Sequence, residues 1–187
     1  MTRQQGTETG TPRHVVVMGV AGSGKSTVAA RLARATGALF IEGDLLHPPE
    51  NVARMAGGEP LTDALREGWL DAIGRELVAA NSREESAVAA CSALKRIHRD
   101  RLRHAGVPLV FVYLDVSHET AARRVAGRKR HFMPASLVDS QFAALERPGD
   151  GEAAIILDGT LPVAKIVASI VTRLDAIARK GGSNAHP

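Results

Sequence analysis

Gly19-Val20-Ala21-Gly22-Ser23-Gly24-Lys25-Ser26 follows the apolar run Val15-Val16-Val17-Met18 and precedes a segment of helical periodicity that opens with Thr27. The octet satisfies G-x-x-x-x-G-K-[ST], and a strand before it with a helix after it is the context that this pattern requires. A polyphosphate carries several negative charges. Wrapping it in backbone N–H groups needs a chain that turns tightly without Cβ atoms in the way, which Gly19, Gly22 and Gly24 supply. The helix that follows adds its free N-terminal amides and dipole. Lys25 brings a mobile cation for the β- and γ-phosphates, and the Ser26 hydroxyl is placed to complete the coordination of Mg²⁺. The expected nucleotide loop therefore runs from Gly19 through Thr27, with ATP and Mg²⁺ as cofactors.

Outward from this loop, short apolar runs alternate with helical segments and no repeat is present. Strands are predicted at His14–Met18, Ala38–Ile41, Ser86–Cys91, Leu109–Leu114 and Ala154–Leu157. Each is a continuous apolar run, which suits a parallel sheet covered on both faces. A helix is predicted over Thr62 to Ala80, capped by Thr62, with Leu65, Trp69, Ile73 and Leu77 on one face. The last helix is predicted to begin near Pro162, with Val163, Ile166, Val167, Ile170, Val171, Leu174 and Ile177 at spacings of three and four. The fold class that follows is a doubly wound α/β domain with a five-stranded parallel sheet between helical layers. One domain spans 14–179, and the polar ends 1–13 and 180–187 are expected to be flexible.

Composition narrows the function. The 187 residues are 44% hydrophobic and 24% charged, ordinary for a globular protein. No apolar stretch approaches the roughly 18 residues that cross a bilayer, and the first residues lack the apolar centre of a secretion signal. A cytoplasmic protein with no membrane partner is expected. The single cysteine, Cys91, excludes an intrachain disulfide and a cysteine-rich zinc site, and reads as a buried thiol. A net charge of +4 and a pI near 9.7 would admit nucleic acid. Yet the basic residues are dispersed among acidic ones and only 3% of residues are aromatic, so anionic small molecules fit better.

The acceptor side is read from the segment after the second strand. Asp44 lies just past a strand end, where it either accepts a proton from an attacking hydroxyl, helps hold a magnesium water, or merely caps a turn. His47 stands before two prolines, a position that serves a ligand or a turn equally. Arg123-Arg124-Val125-Ala126-Gly127-Arg128-Lys129-Arg130 is a candidate lid, about 123–135, whose arginines would neutralise a migrating phosphoryl group. Arg124 and Arg128 stand four apart, so a helix would project both from one face.

Several strings in this chain resemble the gluconokinase family: Gly43-Asp44-Leu45-Leu46-His47-Pro48, Gly58-Glu59-Pro60-Leu61, Trp69-Leu70, Cys91-Ser92-Ala93-Leu94-Lys95, Arg99-Asp100, His131-Phe132-Met133-Pro134 and Ser140-Gln141-Phe142. The resemblance covers about residues 14 to 150. It implies a nucleoside-kinase-like phosphate-loop fold with a mobile lid, and ATP-dependent phosphorylation of D-gluconate at its 6-hydroxyl. It also implies a homodimer. Carried over by position, Lys25, Asp44, Arg124 and Arg128 become the catalytic set, with Ser26 on the metal. His47, Arg54, Lys95, Ser92 and Gln141 join Asp44 around the sugar acid, whose carboxylate calls for a guanidinium fork. Arg54 also reads as a solvated helix residue.

Two departures from the family pattern stand out. Leu65-Arg66-Glu67-Gly68-Trp69 lacks both the acid before the arginine and the proline before the tryptophan, which leaves the orientation of Arg66 open. His98 stands where a tyrosine is common. Two alternatives remain at this stage. One is another small-molecule kinase, such as a shikimate-type enzyme, although Cys91–Lys95 lacks that family's glycine cluster. The other is a non-catalytic nucleotide-binding module.

Overall fold

Every residue of β1 (His14–Met18) is buried, because this strand is central in the sheet and covered on both faces. The computed structural model describes residues 13–127 and 136–182. The elements that follow β1 are α1 (Lys25–Thr36), β2 (Leu39–Glu42), a 3-10 turn (Gly43–Leu46), α2 (Pro49–Ala56), α3 (Asp63–Ser82) and β3 (Ala87–Ala90). Then come α4 (Arg96–Arg103), β4 (Leu109–Asp115), α5 (His118–Ala126), α6 (Ser136–Ala143), β5 (Ala154–Asp158) and α7 (Val163–Gly182). All strand pairs are parallel, in the order β2-β3-β1-β4-β5. The chain thus has the expected α/β architecture.

Alternation along β1 divides the core. Val15 and Val17 face α1 and α7, packing with Val28, Leu32, Ile166 and Ile170. Val16 and Met18 face the opposite layer, packing with Trp69, Ile73, Leu77 and Phe111. The alanines of β3, Ala87 and Ala89, give the bulk of Trp69 and Ile73 room against the sheet. Thr62 caps α3 as predicted, its Oγ1 accepting the Leu65 N–H at 3.3 Å. Such a cap contributes about 1 kcal/mol.

The sheet order reverses direction at β1, with β3 on one side and β4 on the other. The carboxyl end of β1 is therefore the switch point where a doubly wound sheet opens its ligand crevice. Three expectations need correction or restriction. α7 continues through Gly182, past the boundary predicted at 179. The chain ends 1–12 and 183–187 lie outside the described residues, as does the part of the candidate lid from 128 to 135, including Arg128. α5 closes at Ala126, where the Gly127 N–H bonds to the Arg123 carbonyl.

Candidate active site

The loop between β1 and α1 occupies the switch point. At Gly22 the chain adopts φ +80°, and a Cβ there would sit 2.6 Å from the Ala121 carbonyl oxygen, so the close approach of loop to α5 requires glycine. Gly24 is the N-cap of α1 and offers no side-chain cap, and no acidic residue stands in the first turn. The amides and dipole of α1 thus face the cleft uncompensated, which is an anion site. Lys25, Ser26 and Thr27 line that cleft. The Lys25 Nζ donates to the Val20 carbonyl oxygen at 3.1 Å.

Asp44 enters the same cleft from the 3-10 turn after β2. A Cβ at Gly43 would collide with the Ala90 carbonyl oxygen, so glycine lets this turn lie against the end of β3. The Trp69 Nε1–H donates to the Gly43 carbonyl at 2.7 Å, tying the turn to α3. The His47 ring stacks on Trp69 with centroids 4.1 Å apart and planes 13° from parallel. Burial pushes the His47 pKa down to about 4 against the opposing charge of Asp44, so the ring is neutral near pH 7. Its Nδ1 is buried without a partner among the described residues.

Ser92 and Gln141 also line the cleft. The Gln141 Oε1 accepts the Ala21 N–H at 2.7 Å, so α6 is fastened to the nucleotide loop through this side chain. The structure thus brings together the loop, Asp44, His47, Ser92 and Gln141. Arg54 and Lys95, expected around the sugar acid, are not among the lining residues. Arg54 pairs with Glu59 at 3.2 Å on an exposed face of α2. The Lys95 Nζ pairs with Asp63 Oδ2 at 2.7 Å, because the N-termini of α3 and α4 meet there. Each side chain is drawn to a nearer carboxylate and away from the cleft.

Arg66 takes the place that those two leave. It lines the cleft from the second turn of α3, half-buried, and makes no hydrogen bond or ion pair among the described residues. Burial lowers its pKa, yet a guanidinium stays cationic throughout the physiological range. The nearest carboxylate, Asp63, acts on it only through its charge and makes no ion pair with it, and a desolvated cation without a direct partner is costly unless a ligand supplies one. The signal was available in the helical phase: Arg66 is three residues before the buried Trp69 and shares its face.

A second cleft lies on the other side of the loop, lined by Thr27, Arg123, Arg124, Gly159 and Leu161 among others. The Arg124 guanidinium donates to the carbonyls of Gly22 at 3.2 Å and Gly159 at 3.1 Å. It therefore joins the nucleotide loop to the β5–α7 turn. Hard oxygen donors suited to Mg²⁺ are present in Ser26 and Asp44, while no group of three or more His, Cys, Asp or Glu side chains among the described residues is arranged to hold a metal. That donor set fits an ion held chiefly by phosphates and water.

Comparison with known proteins agrees with this geometry. The AAA domain family matches residues 15–148. A gluconokinase from Gluconobacter oxydans is 51% identical over 151 residues, covering 79% of this chain and 83% of that protein. The thermoresistant gluconokinase of Escherichia coli is 39% identical, covering 83% of this chain and 90% of its own. The fold superposes on the crystal structure of a gluconokinase from Sinorhizobium meliloti with a TM-score of 0.83 at 44% identity, over 94% of this chain and 99% of that one. The chain belongs to the gluconokinase family of phosphate-loop kinases.

Proposed function

We propose that this protein transfers the γ-phosphoryl group of Mg·ATP to the 6-hydroxyl of D-gluconate, giving 6-phosphogluconate and ADP. The observation that carries the reading is one cleft in which the open N-terminus of α1, the Asp44 carboxylate and the Arg66 guanidinium, which has no hydrogen-bond or ion-pair partner among the described residues, converge. An alcohol acceptor needs a proton acceptor, its phosphoryl donor needs an anion site, and a sugar acid needs a cation.

In this reading the amides of α1 and Lys25 hold the β- and γ-phosphates, and Arg124 and Arg128 support them from the lid side. Ser26 would hold Mg²⁺, which would supply positive charge to neutralise the phosphates. Asp44 orients the 6-hydroxyl and takes its proton as the new P–O bond forms and the bond to the ADP oxygen breaks. Arg66 forks onto the gluconate carboxylate, and neutral His47, held flat by Trp69, hydrogen-bonds a sugar hydroxyl, with Ser92 completing the pocket. The second cleft, between the lid arginines and the 158–162 loop, takes the adenine. The working form is a cytoplasmic homodimer of one domain, 14–182 once the full length of α7 is included, and no helix among the described residues is long and apolar enough to cross a membrane.

The test is an acceptor screen for ADP release with gluconate, shikimate, related sugar acids and glucose, which lacks the carboxylate. Gluconate is expected to give the dominant signal. A response to another acceptor without one to gluconate would overturn the assignment, and no response to any acceptor would favour a nucleotide-binding module.

A further inference from the structure

Arg66 has an acidic neighbour that ought to capture it. Asp63 lies three residues earlier on α3, a spacing at which side chains of opposite charge pair on a helix surface. Arg66 is close enough to feel the Asp63 charge, yet the two form no ion pair. The reason is visible at the carboxylate. Its Oδ2 accepts from the Lys95 Nζ at 2.7 Å and its Oδ1 from the His98 Nε2 at 3.0 Å. The arrangement at His98 is consistent, since its Nδ1 accepts the Lys95 backbone N–H at 3.4 Å, which leaves the ring proton on Nε2 to be donated. His98 is itself buried, so its ring has little freedom to release Asp63.

We infer that Lys95 and His98 are positioning residues which occupy both oxygens of Asp63, keep it off Arg66, and so leave the guanidinium available to the carboxylate of the acceptor. The inference rests on the reading of Arg66 as the acceptor's carboxylate ligand. It assigns Lys95 a role in acceptor affinity without contact with the acceptor. It also gives His98 a purpose: a donor at its Nε2 reaches Asp63 from within the protein.

The discriminating feature is that the defect is caused by a charge and is cured by removing it. Lys95→Met/His98→Phe should free Asp63 to pair with Arg66 and raise KM for gluconate about three- to fivefold, the size of a charge pair with one half-exposed partner. KM for ATP and kcat should change less than about twofold, since the phosphate site is untouched. Adding Asp63→Asn should return KM to within about twofold of wild type, because an amide does not capture a guanidinium. A role in folding alone predicts the reverse, a further loss with the third change. Lys95→Met alone, at an accessible position, should show a smaller rise with the same reversal by Asp63→Asn, which keeps the test usable if the buried His98→Phe change lowers stability. Arg66→Met belongs in the same series. If it raises KM for gluconate while Lys95→Met/His98→Phe does not, or Asp63→Asn fails to reverse the effect, the positioning role is wrong and the Arg66 reading stands. If Arg66→Met leaves KM unchanged, both fall.

Discussion

Asp44 and Arg66 make different demands on the same acceptor, and substitution separates them. Asp44→Asn keeps the shape of the turn but removes the proton acceptor, so kcat should fall at least about a hundredfold while KM for ATP stays within about twofold. Steady-state kinetics check this, and an unchanged kcat would remove Asp44 from the mechanism. Arg66→Met should act mainly on KM for gluconate, raising it about ten- to a hundredfold, the loss expected for a charge-assisted fork. Glucose, which has no carboxylate to lose contact with, should be indifferent to that change. At this scale the sequence was legible where a residue follows directly from a strand end. Asp44 and His47 sit a few positions past β2, so chain connectivity alone carries them into the cleft. It was illegible for Lys95 and Arg54, because a long cationic side chain takes whichever carboxylate lies nearest in space, here Asp63 and Glu59. No pattern along the chain records that choice.

At the level of elements, α3 and the turn after β2 behave as one unit because Trp69 joins them. Its indole fills the core beside Ile73, its Nε1–H satisfies the Gly43 carbonyl, and its face supports His47. Trp69→Phe keeps most of the apolar volume and removes the indole donor from the Gly43 carbonyl. A cost of about 0.5–1.5 kcal/mol, that of one hydrogen bond, is expected from thermal or denaturant unfolding. The change should also reduce kcat, since the neighbouring residue in the turn is Asp44; intact kcat with lowered stability would show the turn to be held by other contacts. Element types followed from apolar runs and from the Thr62 cap, as did the limits of β1, while those of the other four strands shifted by a residue at one or both ends. β2 runs Leu39–Glu42, one residue later than its apolar run, because its register against β3 pairs Leu39 with Ala87 and Glu42 with Ala90. A partner strand sets where a parallel ladder begins and ends, and that partner is distant in sequence.

Across the whole molecule, the most consequential long-range link is the buried pair Arg99–Glu152. The Nε and Nη2 of Arg99 donate to the two Glu152 oxygens at 2.6 and 2.8 Å, with 1% and 4% of the two side chains exposed. The remaining Nη1 reaches the carbonyls of Ala93 and Leu94 at 3.2 Å and Glu146 at 3.0 Å. This guanidinium therefore fastens the β3–α4 turn, where Ala93 is held at φ +40°, to the segment between α6 and β5. Hydrogen bonds from Arg99 pull the Glu152 pKa from 4.5 down to about 2. A carboxylate depressed on folding binds its proton first in the unfolded chain, so its contribution is complete above about pH 4.5 and disappears as pH falls toward 2. His47 adds a slope of the same sign at higher pH. Its pKa near 4, below the ordinary 6.5, means that acidification through that window protonates the unfolded chain and favours unfolding. Glu152→Gln should leave Arg99 buried without its counter-charge and cost about 3–5 kcal/mol at pH 7, a fall in Tm of about 10 °C for a chain of this size. The variant should also lose less stability than wild type between pH 4.5 and 2, because the group that titrates there is gone. Thermal scans across that range decide the matter: parallel pH profiles for the two proteins would mean that the pair is not what links the acid sensitivity of the fold to this site.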